Sequence, residues 1–263
     1  MKFFGFLALV IGSFSAYATA INVDLGTADP FAVLAGSTVT NTGPTTVHGG
    51  LGLWPGTAIT GFPPGIVAGG TIHDTDAVAM QAQNDLTTAY NFAAGESCGT
   101  NLTGQDLGGL TLTPGVYCFG SSAQLTGTLT LNALGDPNSV FVFQIGSTLT
   151  TASSSSVIFT NGGQGDSVFW QVGSSATLGT TTQFQGNILA LASITLTTGA
   201  DIGCGRALAR NGAVTMDTNN VSIDTAGCET TTIGSVPEPS TASLLLLISI
   251  PALLWLFRLK SVR

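Results

Sequence analysis

The feature that most constrains this chain is a fixed order of three kinds of short apolar run, repeated several times. From about residue 115 a bulky run, a threonine-rich run and a third run follow one another and then begin again. The bulky runs are VYCF (116–119), VFVFQI (140–145), VFWQV (168–172), NILAL (187–191) and RALAR (206–210). The threonine-rich runs are AQLTG (123–127), STLTT (147–151), ATLGT (176–180), ITLTT (194–198) and VTMDT (214–218). The third kind appears as TLTLN (128–132), SVIFT (156–160) and NVSI (220–223). Gly and Asn punctuate the runs, as at Asn161-Gly162-Gly163, and supply tight turns. The period is irregular, roughly 19 to 28 residues, near that of repeats that bury their apolar faces on their neighbours. Three runs per repeat predict one coil of a three-sided β-solenoid, so the fold class is dominated by β-structure. Ser37-Thr38-Val39-Thr40-Asn41 fits the pattern and adds another coil.

Alternation along a strand sets which side chains face the core. Stacking the threonine-rich runs places Leu125, Leu149, Leu178, Leu196 and Met216 in one inward column. One outward column then holds Gln124, Thr148, Thr177, Thr195 and Thr215, and the other Thr126, Thr150, Gly179, Thr197 and Asp217. The bulky runs are apolar at successive positions, so both faces of their sheet need cover. The segment 74–94 supplies it: Val78, Ala82, Leu86, Ala89, Tyr90 and Ala93 recur at helical spacing. Asp74 or Thr75 is the expected cap, Asp76 suits the first turn, and Gly95 ends the helix. Four cysteines, Cys98, Cys118, Cys204 and Cys228, allow three disulfide pairings. Cys98–Cys118 would pin the helix to the coils, with Cys204–Cys228 closing the last coil. No C-x-x-C pair is present, so no zinc site is expected.

Only 8% of residues are charged, against roughly 25% in an average soluble protein. The net charge is −8, and between Lys2 and Arg258 the basic residues are Arg206 and Arg210. Such a body cannot neutralise phosphates, which argues against nucleic-acid binding. Residues 1–20 combine one Lys, an apolar run and Ala18-Thr19-Ala20, the pattern of a secretory signal peptide cleaved before Ile21. Residues 236–263 contain Val236-Pro237-Glu238-Pro239-Ser240, an apolar run of about 17 residues and a basic tail, at the low end of what spans a bilayer. This end resembles the PEP-CTERM sorting signal of Gram-negative bacteria. The resemblance implies export to the cell surface or medium and processing by an exosortase-type enzyme, with membrane contact confined to this segment. The solenoid domain is then 21–235, with its helix at about 74–94.

The threonine-rich runs put hydroxyls and methyls on a regular lattice. Coils stack about 4.7–4.9 Å apart, and outward residues on one strand lie roughly 6.5–7 Å apart. Threonine is β-branched and stiff at χ1. Both spacings approach oxygen repeats in ice, and an uncharged surface leaves water free to order. The residues expected to meet ice are Thr126, Thr148, Thr150, Thr151, Thr177, Thr180, Thr195, Thr197, Thr198, Thr215 and Thr218. Six ordered segments carry a resemblance to ice-binding proteins with a DUF3494-type domain. They are 31–65, 76–90, 110–119 (LTLTPGVYCF), 139–151 (SVFVFQIGSTLTT), 167–180 (SVFWQVGSSATLGT) and 193–223. The resemblance implies an irregular right-handed β-helix with a long helix alongside. It implies adsorption to ice through a flat face, which slows growth and recrystallisation; a monomer without a cofactor is expected. Family members often carry T-A/G-x-T/N on that face. Thr151-Ala152-Ser153-Ser154 and Thr198-Gly199-Ala200-Asp201 approximate it but end in Ser and Asp, and Asp217 interrupts the second column.

Two other readings use the same scaffold. One is a structural or adhesive surface protein. The other is a polysaccharide-cleaving enzyme, which needs clustered acids. Asp136, Asp166, Asp201 and Asp217 are scattered over turns and separate faces. Arg206 and Arg210 lie on a bulky run, where snorkelling at the helix edge or pairing with Asp is expected. His48 and His73 fall in expected turns. Gly162-Gly163-Gln164-Gly165-Asp166 is one residue short of a calcium-loop spacing, and no G-x-S-x-G elbow is present. No catalytic or metal-ligating residue is therefore assigned.

Overall fold

The computed structural model describes residues 20–163 and 165–223. Nearly all of the expected signal peptide, the C-terminal signal at 236–263 and Cys228 lie outside the described residues. No helix among the described residues is long and apolar enough to cross a membrane. The fold is the expected β-solenoid. Three parallel sheets of nine, seven and eight strands form its sides, and each full coil gives one strand to each. The bulky strands Gly115–Phe119, Phe141–Ile145, Val168–Val172, Asn187–Ala190 and Ala207–Ala209 all join the nine-stranded sheet. The threonine-rich strands join the seven-stranded sheet, hereafter the threonine face. The eight-stranded sheet, the third face, also takes Gln183–Gln185 and Asp201–Cys204, two strands not apparent from the sequence.

The coils do not stack in chain order. The first coil, Phe31–His48, lies between the coil after it, Gly50–Ala68, and the final coil, Ala207–Ser222. Register fixes this on every side: Val33 pairs with Ala207, Thr40 with Thr215 and Thr46 with Asn220. The chain then leaves at Ile72–Asp74, one edge of the nine-stranded sheet, and re-enters at Thr100–Asn101, the opposite edge. Helix α1 (Ala77–Gly95) makes the crossing. Its 19 residues span about 28 Å, and nine strands span about 38 Å, so the helix and its extended flanks match the sheet's width.

The cap of α1 is Asp76, whose Oδ1 accepts from the Ala79 N–H at 2.9 Å, so the helix starts later than expected. That backbone hydrogen bond, with one from His73, holds the Asp76 carboxyl below its usual range. His73 is in a strand with Nδ1 2.7 Å from Asp76, and His48 is also in a strand; neither lies in a turn. Val78 is 47% exposed, and Ala79 replaces it on the buried stripe with Ala82, Leu86, Ala89, Tyr90 and Ala93. The stripe packs on Val116, Val142, Phe169, Leu189 and Leu208, the outward side chains of the bulky strands. Burying each large side chain contributes about 1.5–3 kcal/mol. Gln144 Nε2 donates to the Ala93 and Glu96 carbonyls, satisfying the helix's C-terminal end from the sheet. The Cys98–Cys118 disulfide is present. Cys204 is also disulfide-bonded.

Inside the solenoid, Tyr117, Phe143 and Trp170 occupy paired positions on adjacent strands and stack, with centroids 5.4 and 3.9 Å apart. The same column then continues as Ile188, Ala207, Val33 and Leu51. At the corner between the threonine and third faces, Ser154, Thr181 and Thr218 take left-handed backbone conformations, with φ of 56–58°. Gly43 has φ +80°, and a Cβ there would lie 2.3 Å from Thr218 Oγ1.

Candidate functional site

The threonine face is built on seven strands whose paired residues run in unbroken register. Gln124 pairs with Thr150, Thr150 with Thr177, Thr177 with Thr195 and Thr195 with Thr215. Thr215 pairs with Thr40, and Thr40 with Thr60. Six threonines thus stand in one outward column across six coils. Beneath it, Ala123, Leu149, Ala176, Ile194, Val214 and Val39 form an inward column, all buried. The other two sheets each contain a register shift, at Phe31/Val33 and at Phe184/Gln185. This sheet shows none among the described residues. An unshifted sheet repeats its side chains at constant intervals in both directions.

The expected columns need one correction. Leu149 pairs with Ala123 and Ala176, two positions away from the Leu125 register assumed from the sequence. A slip of two residues keeps inside and outside unchanged, because side chains alternate with period two. Its effect is to move Thr150 into the central column and Thr148 into a flanking one. Thr148 Oγ1 donates to Ser122 Oγ at 2.8 Å, and Ser175 and Ser193 continue that flank.

Thr151 faces the core. It is 3% exposed, its Oγ1 lies 2.8 Å from Thr182 Oγ1, and it accepts from the Gly179 N–H. It pairs with Leu125, an inward position, and so cannot meet an external surface. Thr126 and Thr197 flank the central column on the corner side with hydroxyls already engaged. Thr126 donates to Asp106 at 2.8 Å, and Thr197 donates to the Leu178 carbonyl at 2.8 Å. Thr180, Thr198 and Thr218 are exposed at the corner itself. Thr198 and Thr218 donate to the Asp217 carboxylate. The Thr198 and then the Thr218 hydrogen bonds hold the Asp217 carboxyl below its usual range, so it stays charged. The segments Ala152-Ser153-Ser154 and Gly199 likewise belong to corners rather than to the column.

Sequence reasoning missed Thr40 and Thr60 as site residues. The signal was present: Thr38-Val39-Thr40 and Ala58-Ile59-Thr60 show the same alternation as the later runs. What was missing was the stacking order that sets them beside Thr215. The hydroxyls of Thr40, Thr150, Thr177, Thr195 and Thr215 make no hydrogen bond to another described residue, whereas Thr60 reaches the Val39 carbonyl at 3.4 Å. The column therefore presents methyls and unspent hydroxyls to whatever lies outside.

Among the described residues the acids and cations gather into no second site. Arg206 is buried and pairs with Asp29 at 2.9 Å, while also donating to Asn187. The Arg210 guanidinium lies 4.6 Å from the Tyr90 ring centroid. Among the described residues no three His, Cys, Asp or Glu side chains are grouped to hold a metal ion.

Comparison with known proteins gives a consistent picture. An ice-binding protein of Nostoc sp. (strain HG1) is 59% identical over 254 residues, covering 96% of this chain and 93% of that one. The crystal structure of an ice-binding protein from an Antarctic biological consortium superposes with a TM-score of 0.75 at 50% identity, covering 81% of this chain and 96% of that one. That of an ice-binding protein from the ascomycete Antarctomyces psychrotrophicus gives 0.75 at 44% identity, covering 78% and 99%. The family described as ice-binding-like matches residues 33–222, and the chain belongs to it.

Proposed function

We propose that this protein adsorbs to ice through the threonine face and so inhibits ice growth and recrystallisation. The observation that carries this reading is the central column: Thr150, Thr177, Thr195, Thr215, Thr40 and Thr60 in continuous register, five of them with hydroxyls that make no hydrogen bond to another described residue. Coil stacking repeats these groups about every 4.7–4.9 Å. Water bound to one hydroxyl is then positioned relative to water on the next, as in a crystal. The methyl groups bound that layer, and charges that would reorient it are absent from the column. The flank of Ser122, Thr148, Ser175 and Ser193 widens the lattice on one side. Asp217 and its threonine partners limit it on the other. One chain carries the whole column, so adsorption requires no partner subunit.

We infer further that the protein works outside the cell. The signal-peptide pattern of residues 1–20 and the Pro-Glu-Pro signal at 236–263 support export and processing by an exosortase-type enzyme. The functional test is thermal hysteresis and recrystallisation inhibition by the purified protein, beside a Thr195→Tyr variant. Crystal shaping by the wild type and its loss in the variant are expected. A wild type that neither shapes ice nor slows recrystallisation at micromolar concentration overturns the reading.

A further inference from the structure

Glu96 follows the last residue of α1 and is awkwardly placed for an acid. A carboxylate at a helix C-terminus meets the negative end of the helix dipole. Its Oε1 is buried with no hydrogen-bond partner among the described residues, while Oε2 accepts from the Ile21 backbone nitrogen at 3.2 Å. Burial pushes its carboxyl above the usual range, as expected where no cation is at hand. The position is nevertheless rigid. Gln144 holds the Glu96 carbonyl at 2.7 Å, and Cys98, two residues on, is tied to Cys118. The cations of the body are committed elsewhere, Arg206 to Asp29 and Arg210 to Tyr90.

Ile21 is also the residue that the Ala18-Thr19-Ala20 pattern marks as the first of the mature chain. We propose that removal of the leader creates the missing partner of Glu96: the new α-ammonium of Ile21 forms an ion pair with it and fastens the N-terminal segment to the end of α1. In the cleavage, water adds across the Ala20–Ile21 peptide bond. Ala20 leaves with a carboxylate, and Ile21 is left with an amine that is protonated near neutral pH, its ordinary pKa being about 7.7–8.0. The neutral amide N–H at this position is thereby replaced by a charged group with three donors, enough for both Glu96 oxygens. The segment it fastens carries Val23, Leu25 and Ala28, which pack in the same cluster as α1 and the outer side chains of the bulky strands. Processing thus completes the packing of the helix-covered side. The inference rests on the export reading above and is independent of ice binding.

The sequence offers a clean test. Its lysines are Lys2 and Lys260, so in an exported Lys260→Arg chain the sole amine left after leader removal is that of the new N-terminus. N-terminal sequencing of the exported protein should begin at Ile21. Acetylating that amine should lower the unfolding temperature by about 3 °C. Glu96→Gln should lower it similarly, and acetylating the Glu96→Gln protein should add almost nothing. Ice shaping should persist throughout. A mature terminus at another residue overturns the proposal together with the cleavage site. A terminus at Ile21 with fully additive effects, or with none, overturns the ion pair and leaves export standing.

Discussion

The threonine face and the third face are made by the same coils, yet they use polar side chains in opposite ways. On the third face one outward column reads Thr128, Ser156, Gln183 and Asp201, then Thr46 and Ile66 further along. These groups pair with each other. Thr128 and Ser156 are 2.9 Å apart, Gln183 donates to Asp201, and Asp201 accepts from the Asn220 N–H. Ile158 and Ile66 stand 43% and 56% exposed among them. On the threonine face the central column is nearly one residue type, five of its six hydroxyls make no hydrogen bond to another described residue, and its register is unshifted. Small hydroxyl residues are therefore insufficient for a lattice. At its centre they must also be alike, evenly spaced and largely left without internal partners.

The sharpest break of this comparison is Thr195→Tyr, which places a ring at the centre of the column. Ice adsorption should weaken by about tenfold or more, the consequence of losing roughly 1.4 kcal/mol or more of contact. The unfolding midpoint should hold, because Thr195 is an outward residue. Gln183→Tyr on the third face is the control and should leave hysteresis intact. Equal loss from both variants would falsify the assignment of the face. Thr148→Tyr, on the flank, should cost a smaller part of the activity in the same osmometry.

Thr151→Val separates the buried ladder from the exposed one. It leaves the Gly179 N–H without its acceptor, while the Thr182 hydroxyl keeps its bond to the Ala152 carbonyl at 3.2 Å; the loss is about 1–3 kcal/mol. Denaturant unfolding should show that loss while hysteresis at a fixed folded concentration stays unchanged. The smallest expected effect is at Asp217. Asp217→Asn removes a charge from the lattice margin and should leave activity equal to wild type or slightly higher. The same carboxylate fixes the pH behaviour. Its folded pKa lies below the unfolded value, so its contribution to stability is full above that value. The contribution is lost as pH falls through the lowered folded pKa, beneath the usual 3.8. Hysteresis measured from pH 8 to pH 5 should be flat.

Much of this was legible in the residues. The strands 168–172, 128–132 and 156–160 were bounded correctly because turn residues close each run on both sides. The cover on the bulky face followed from VFVF alone, since no strand can expose either side of such a run. The third-face strands 183–185 and 201–204 escaped notice because Gln-Phe-Gln and Asp-Ile-Gly-Cys carry a single clear apolar position or a broken alternation. Thr151 was misplaced for a related reason: a buried threonine with a hydroxyl partner has the same sequence signature as an exposed one. Alternation from Leu149 sets Thr151 inward, and the Thr182 contact satisfies its hydroxyl there.

By itself the sequence determined the three-sided coil, the inward and outward columns of the strands it revealed, the covering helix and the uncharged character of one side. These depend on local alternation and on apolar surface that must be buried, and both can be counted along the chain. The tertiary structure decided which coil lies on which. It set the first coil between the second and the last, moved Leu149 by two residues, and so assembled Thr40 and Thr60 with Thr150, Thr177, Thr195 and Thr215 in one column. The physical reason is that period-two alternation leaves every even-numbered slip equally acceptable to a single strand. Only the combined packing of all three sheets, joined across the molecule by α1, selects one register.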